Sequence, residues 1–212
     1  MRWEEFLKLV AKLPVIETEL LLAGVPDQSS LKVQISRWQK AGNLIQIRRG
    51  IYLLSEPYRK IEVYEFYLAA VLKKPSYISL EKALEYHGLI PDAVSVYTSV
   101  TTKRPGKIIS DMGVFDYRHI KSALFFGYNS STINKQTAFI ASPEKALLDL
   151  CYLRGAGISA KYLKELRLQN VGQIRIDRLF TCAKRFKRPG ILTAAGVIAA
   201  YIDSYEDEEK TL

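Results

Sequence analysis

The sequence predicts an α+β protein: a winged helix-turn-helix over residues 1–57, a larger mixed α+β domain over 58–205 and an acidic tail over 206–212. Three observations carry that prediction. Residues 29–54, SSLKVQISRWQKAGNLIQIRRGIYLL, write a helix, a glycine stop and a short basic hairpin in succession. At 56–60 a polar connector gives way to an aromatic-rich run, a composition shift of the kind that marks a domain boundary. Further on, the strand-like alternation of VSVYTSVTT and VFDYRHI is interleaved with helix-like segments such as SPEKALLDLCYL.

Taken in order, Trp3, Phe6, Leu7 and Val10 form a helical stripe, which Pro14 closes at about Leu13. Residues 17–23 read as a short second helix with Leu20 and Leu21 turned inward, and Gly24, Val25, Pro26 and Asp27 as the turn after it. In the third helix Leu31, Ile35 and Trp38 recur at i, i+4 and i+7, so they share one face and belong on a core. Ser29 or Ser30 supplies its cap, and Gly42 suits the left-handed position that ends it. Residues 44–47 and 51–54 are β-rich, and Arg48, Arg49 and Gly50 between them have the composition of a tight hairpin tip whose two cations stand out from the fold.

The second half begins with a helix expected over 61–72, then SLEKALEYHGL, opened by Ser79 and stopped by Gly88. His87 at its end is expected to bond a carbonyl or face solvent, since no second histidine sits at ligand spacing. Strands follow at 94–102, at Ile108 and Ile109 and at 113–120; their alternation suits half-buried antiparallel pairs, with Lys103, Arg104 and Lys107 as a second cationic hairpin tip. Residues 125–128 form an aromatic elbow and 137–141 another strand. Ser142, Pro143 and Glu144 open a helix with a cap, a fixed φ and a carboxylate at the positive end of the dipole. Ala146, Leu147, Leu150 and Leu153 form its apolar face, while Asp149 is either exposed or a bridge to the basic strands. Near the end, Ala195, Gly196, Ala199 and Ala200 permit close helix approach, and 203–212 is expected to fray or fold back loosely on the basic segment.

Charge points to a partner class. Thirty-one Lys and Arg against 22 Asp and Glu leave a net charge of +9, which favours a polyanion. Between Ser29 and Leu54 there is no carboxylate, so the outer face of the third helix and the hairpin tip are one-signed. A helix-turn-helix sets the N-terminal part of its second motif helix in the major groove. That nominates Ser29, Ser30, Lys32, Val33, Ser36 and Arg37 for double-stranded DNA, with Lys40, Arg48 and Arg49 extending the surface towards phosphate. A further basic stretch, with Lys161, Lys164, Arg167, Lys184, Arg185, Lys187 and Arg188, reads either as a surface for a partner or nucleic acid or as solvated helix faces.

Other classes fare worse. Cys151 and Cys182 lie in apolar helical patterns without CxxC spacing, so buried thiols in a reducing cytoplasm are expected, with no metal and no cofactor. Glu4 and Glu5 interrupt any secretory signal, and the longest apolar run, 190–202, is shorter than the roughly 20 residues a bilayer requires, so no membrane partner is expected. The best enzyme candidate is a magnesium nuclease built on Asp111, Asp116 and Glu144, but Glu144 abuts Lys145, and the carboxylate and lysine separated by one residue occur only at Glu208 and Lys210 in the tail. His87 and His119 lack a nucleophile motif and no glycine-rich phosphate loop is present, so the sequence predicts no enzyme.

Several strings follow one another along the chain: RRGIYLL, YISLEKALEYHGLI, TSVTTKR, FDYRHI and IASPEKALLDLCYL. In this order they resemble the AbiEi family of bacterial antitoxins and related transcriptional regulators, from the N-terminus to about Leu153, with only a loose likeness beyond. The resemblance implies an N-terminal winged helix that represses the antitoxin's own operon at inverted repeats in double-stranded DNA. It also implies a larger C-terminal domain that counters a nucleotidyltransferase-type toxin, and it carries the DNA-reading role onto Lys32, Ser36, Arg37, Arg48 and Arg49. A stand-alone regulator without a toxin would share every one of these motifs.

Overall fold

The computed structural model describes residues 1–23, 27–155 and 158–209, with side chains to Tyr205 in the last segment. The expected turn at Gly24, Val25 and Pro26 and the tail residue Lys210 lie outside the described residues. The chain is α+β with a mixed sheet. Its first elements are α1 (Trp3–Val10), β1 (Ile16–Glu17), α2 (Thr18–Ala23), α3 (Gln28–Lys40), β2 (Leu44–Arg48) and β3 (Ile51–Leu54). The strands form an antiparallel sheet in the order β1-β3-β2.

This small sheet has two apolar faces, which follows from strict alternation in β3. Tyr52 and Leu54 join Phe6, Val10, Ile16, Leu22, Leu31, Ile35 and Leu44 in one core with the helices. Leu53, with Val15 and Ile47, turns the other way into the large core of the remaining chain. The start of α1 is locked to the end of α3 by rings: Trp38 lies 4.6 Å from Phe6 and 5.2 Å from Trp3, and Trp3 lies 5.1 Å from Tyr58. Gly50, at φ 83°, makes the two-residue hairpin turn, and its carbonyl accepts from both the backbone N–H and the hydroxyl of Thr18.

Two sequence expectations here are corrected. Residues 16 and 17 are a strand, so α2 starts at Thr18, and the new phase buries Leu22 while Leu20 is 69 % exposed. The cap of α3 is Asp27, not Ser29 or Ser30: its carboxylate accepts from the Ser30 N–H at 3.0 Å and from the Ser29 hydroxyl at 2.8 Å. The far end is as read. Gly42, at φ 77°, lets the N–H groups of Gly42 and Asn43 turn back to Gln39 and Trp38.

The second sheet contains β4 (Ser76–Ile78), β5 (Val96–Thr101), β6 (Gly106–Ser110), β7 (Gly113–His119), β8 (Tyr128–Ile133) and β9 (Gln136–Ala141), in the order β6-β7-β5-β4-β9-β8. β5 and β7, read as antiparallel, pair parallel from Val96↔Val114 to Thr101↔His119; β4 and β9 are also parallel. The cause is β6, which pairs with the outer edge of β7 instead of turning back on β5. Lys103 and Arg104 therefore lie in the connection from β5 to β6 and Lys107 in β6 itself, opposite Asp116, and none of them forms a β5–β7 hairpin tip. β4 escapes the alternation test because all three residues are buried, and β8 because it is a polar edge strand.

α4 (Glu65–Leu72), α5 (Leu80–Tyr86) and α6 (Pro143–Arg154) pack on this sheet, α8 (Ile176–Arg185) and α9 (Pro189–Glu209) pack on α6 and each other, and α7 (Ala160–Glu165) packs on α9. α6 starts as predicted, with the Ser142 hydroxyl accepting from the Lys145 N–H and Pro143 in the first turn. α4 begins later than position 61, because the backbone at 62–64 is bonded to the Gln136 side chain. In α9 the buried positions are Ile191, Ala194, Ala195, Ile198 and Ile202, a face set with larger residues than the small-residue stripe alone. Its backbone is helical to Glu209.

Candidate nucleic-acid interface

α3 presents two opposite faces because its apolar residues recur at helical spacing. Leu31 and Ile35 are each 3 % exposed. On the other side Ser29, Lys32, Val33, Ser36, Arg37 and Lys40 are all exposed, and Ser30 is half-buried. Val33 is an apolar side chain in that cationic and hydroxylic row, suited to a thymine methyl where the lysine and arginine suit phosphate or guanine. Asp27 caps the helix from below this face, and the Ser30 N–H and Ser29 hydroxyl hold its carboxyl below the usual carboxylate range. The Gln39 amide donates to Gln46, whose own amide donates to the Tyr52 hydroxyl, so α3 and the hairpin keep a set relation.

The two hairpin arginines part company. Arg49 is exposed and makes no hydrogen bond or ion pair among the described residues. Arg48 is exposed as well, but its guanidinium also donates to the Leu72 carbonyl at the end of α4. The orphan carbonyls of a helix C-terminus attract a cation, and the hairpin lies against that end.

An open groove of about 760 Å³ runs between the start of α3, the hairpin tip and the end of α4, with Gln28, Lys32, Arg48, Arg49, Glu17 and Lys74 on its walls. The groove is mixed in sign, because Glu17 and Glu19 face it; Lys74 reaches Glu17 at 2.8 Å. Sequence reasoning missed Lys73 and Lys74. Their signal is a lysine pair directly after an apolar helix, where cations complement the dipole. Burial, and then the charges of Arg48 and Arg104, push the Lys73 ammonium down, while its Nζ donates to the Arg104 carbonyl.

The second basic stretch divides by environment. Arg185 stacks 3.4 Å from the Phe126 ring centre and Arg188 lies 4.7 Å from that of Tyr152. Arg167 approaches Asp92 at 3.5 Å and Lys161 approaches Glu165 at 4.0 Å. Lys164, Lys184 and Lys187 are exposed and make no ion pair among the described residues. Aromatic stacking and local pairs therefore engage much of a charge that in the sequence looks uniformly available.

The residues considered for chemistry go elsewhere. Asp149 is fully buried: it pairs with Lys145, also fully buried, and accepts from the Tyr77 and Ser79 hydroxyls at 2.8 and 2.9 Å. Burial raises the Asp149 carboxyl and lowers the Lys145 ammonium, each opposed by the other's charge. This knot fastens α6 to β4 and has no surface to offer a substrate. Glu144 accepts from the Ser142 hydroxyl and the Arg175 N–H, Asp116 pairs with Arg118, and Asp111 lies in the exposed turn after β6. Among the described residues no three His, Cys, Asp or Glu side chains group so as to hold a metal ion. His87 meets the Ala141 carbonyl at 2.8 Å and His119 that of Lys103 at 3.1 Å. Cys151 is buried, its thiol pushed up to about 12 by desolvation, and Cys182 is half-buried. No described helix is long and apolar enough to cross a membrane. No protein-family model and no curated protein matches the chain.

Proposed function

We propose that the chain is a DNA-binding transcriptional regulator that reads an operator through its N-terminal unit. The observation that carries this is the outer face of α3, where Lys32, Ser36, Arg37 and Lys40 are exposed with no carboxylate among them. The helix-strand-helix-helix-strand-strand order, with β3 central in the small sheet, supports a winged-helix reading in which α3 lies in the major groove and the hairpin is the wing. Arg49, and Lys40 at the end of α3, reach for phosphates. The resemblance to AbiEi antitoxins extends the proposal: the chain represses its own operon at inverted repeats, and residues 58–205 counter a nucleotidyltransferase-type toxin encoded beside it.

The test uses DNA from upstream of the chain's own gene and a random duplex of the same length. Lys32→Ala with Arg37→Ala weakens specific binding by about 1–3 kcal/mol for each base whose edge those side chains read, and relaxes base preference there. Unchanged affinity and footprint in that double variant reject the assignment of α3. For the antitoxin role, co-expression with the neighbouring nucleotidyltransferase separates a protecting chain from a stand-alone regulator, which gives no protection.

A further inference from the structure

Between the second half of α4, the start of β4 and the β8–β9 edge lies a cavity of about 340 Å³, which shares Val71 and Lys74 with the groove at the start of α3. Four rings line it: Tyr67, Phe125, Tyr128 and Phe139. Tyr128 meets Phe125 and Phe139 edge-on at 5.3 and 5.6 Å, which holds the rings apart, and Phe139 is left 41 % exposed. Ser76, Lys74 and Thr137 interrupt this apolar wall. Ser76 is 6 % exposed, and its hydroxyl is buried with no hydrogen-bond partner. Lys74 borders the cavity with a side chain 58 % exposed, tied to Glu17 by contacts of 2.8 and 2.9 Å.

Such a volume is at the small end of pockets for organic ligands, which combine apolar walls with a few polar groups that orient the guest. An ammonium beside rings selects a flat molecule with an anionic end. We propose that this cavity binds a small planar aromatic carboxylate. Its ring lies among Tyr67, Phe125, Tyr128 and Phe139, and the carboxylate takes Lys74 from Glu17. The site stands whether or not α3 binds DNA. Ligand and Glu17 are rivals for one ammonium, so the two members of that ion pair have opposite effects on binding.

The experiment is calorimetric titration of the full chain with 2-naphthoate and with 2-naphthamide, its neutral counterpart. The intact protein binds naphthoate more tightly than naphthamide. Lys74→Met weakens naphthoate by about tenfold, as expected when a charge-assisted bond is removed, and abolishes the preference over the amide. Glu17→Gln strengthens naphthoate by about two- to fivefold, the worth of an exposed ion pair. Ala70→Phe, which fills the cavity, abolishes binding of both. Lys74→Met and Glu17→Gln are substitutions of exposed or half-buried side chains, so they remain informative if Ala70→Phe fails to fold. The proposal is overturned by no binding of naphthoate at millimolar concentration, by equal affinity for acid and amide, or by Lys74→Met and Glu17→Gln shifting affinity in the same direction.

Discussion

At the scale of single residues, neighbours in sequence carry different duties. Arg48 and Arg49 are adjacent, identical and both exposed, yet one donates to the Leu72 carbonyl while the other makes no hydrogen bond or ion pair among the described residues. A phosphate contact releases condensed counterions, so its removal flattens the plot of log affinity against log salt by about 0.9. Arg49→Ala is expected to show that change on specific and random DNA alike. Arg48→Ala is expected to lower the melting temperature, because it frees a helix-end carbonyl. Equal slopes for wild type and Arg49→Ala would remove the hairpin from the interface. Asp27 gives a second residue-level test. Its carboxyl is depressed in the folded chain, so its contribution to α3 is fully present above the ordinary aspartate value and disappears as pH falls through the lower folded value. Asp27→Asn, which retains a capping oxygen, should flatten that acid limb of a melting-temperature profile, and an unchanged limb would show that the cap does not couple to folding.

At the scale of elements, α6 shows how a helix that reads as ordinary core carries a buried ion pair. Lys145 and Asp149 are four apart, one turn of the same helix, and their charges meet where no water reaches. Removing one partner leaves the other charge uncompensated, at a cost of about 3–5 kcal/mol. Lys145→Met and Asp149→Asn are each expected to fall in that range in urea unfolding. The double variant should cost clearly less than their sum, since no buried charge is stranded. Strict additivity would show that the two side chains do not act as a unit. Lys145 also lies 4.9 Å from the ring centres of Phe126 and Phe186, so part of the cost of replacing it is packing.

At the scale of the whole molecule, the small N-terminal sheet is shared between two cores. Val15, Ile47 and Leu53 are 5 %, 6 % and 0 % exposed because the rest of the chain covers them. A fragment ending near Lys60 uncovers all three. It is expected to melt earlier and less cooperatively than the full chain and to self-associate in size-exclusion chromatography, and a monomeric fragment with the full chain's melting temperature would contradict this. The ion pair of Lys74 with Glu17 and the bond from Arg48 to Leu72 cross the same seam. The polar connector at 56–60 is thus a change in composition without a break in packing.

What the sequence determined by itself are the features that depend on near neighbours. Helical spacing placed Leu31 and Ile35 inward and left Lys32, Ser36, Arg37 and Lys40 outward. Gly42 and the Ser142–Pro143 start marked helix ends through local backbone chemistry. The tertiary structure alone decided what depends on distant neighbours. Whether two alternating strands pair parallel or antiparallel is set by where the connecting strand goes, and β6 went outside β7. A carboxylate on a helix is solvated or buried according to what covers it, and Tyr77, Ser79 and Lys145 cover Asp149. The ringed cavity beside Ser76 draws its walls from residues 67 to 139, and no local pattern records that they meet.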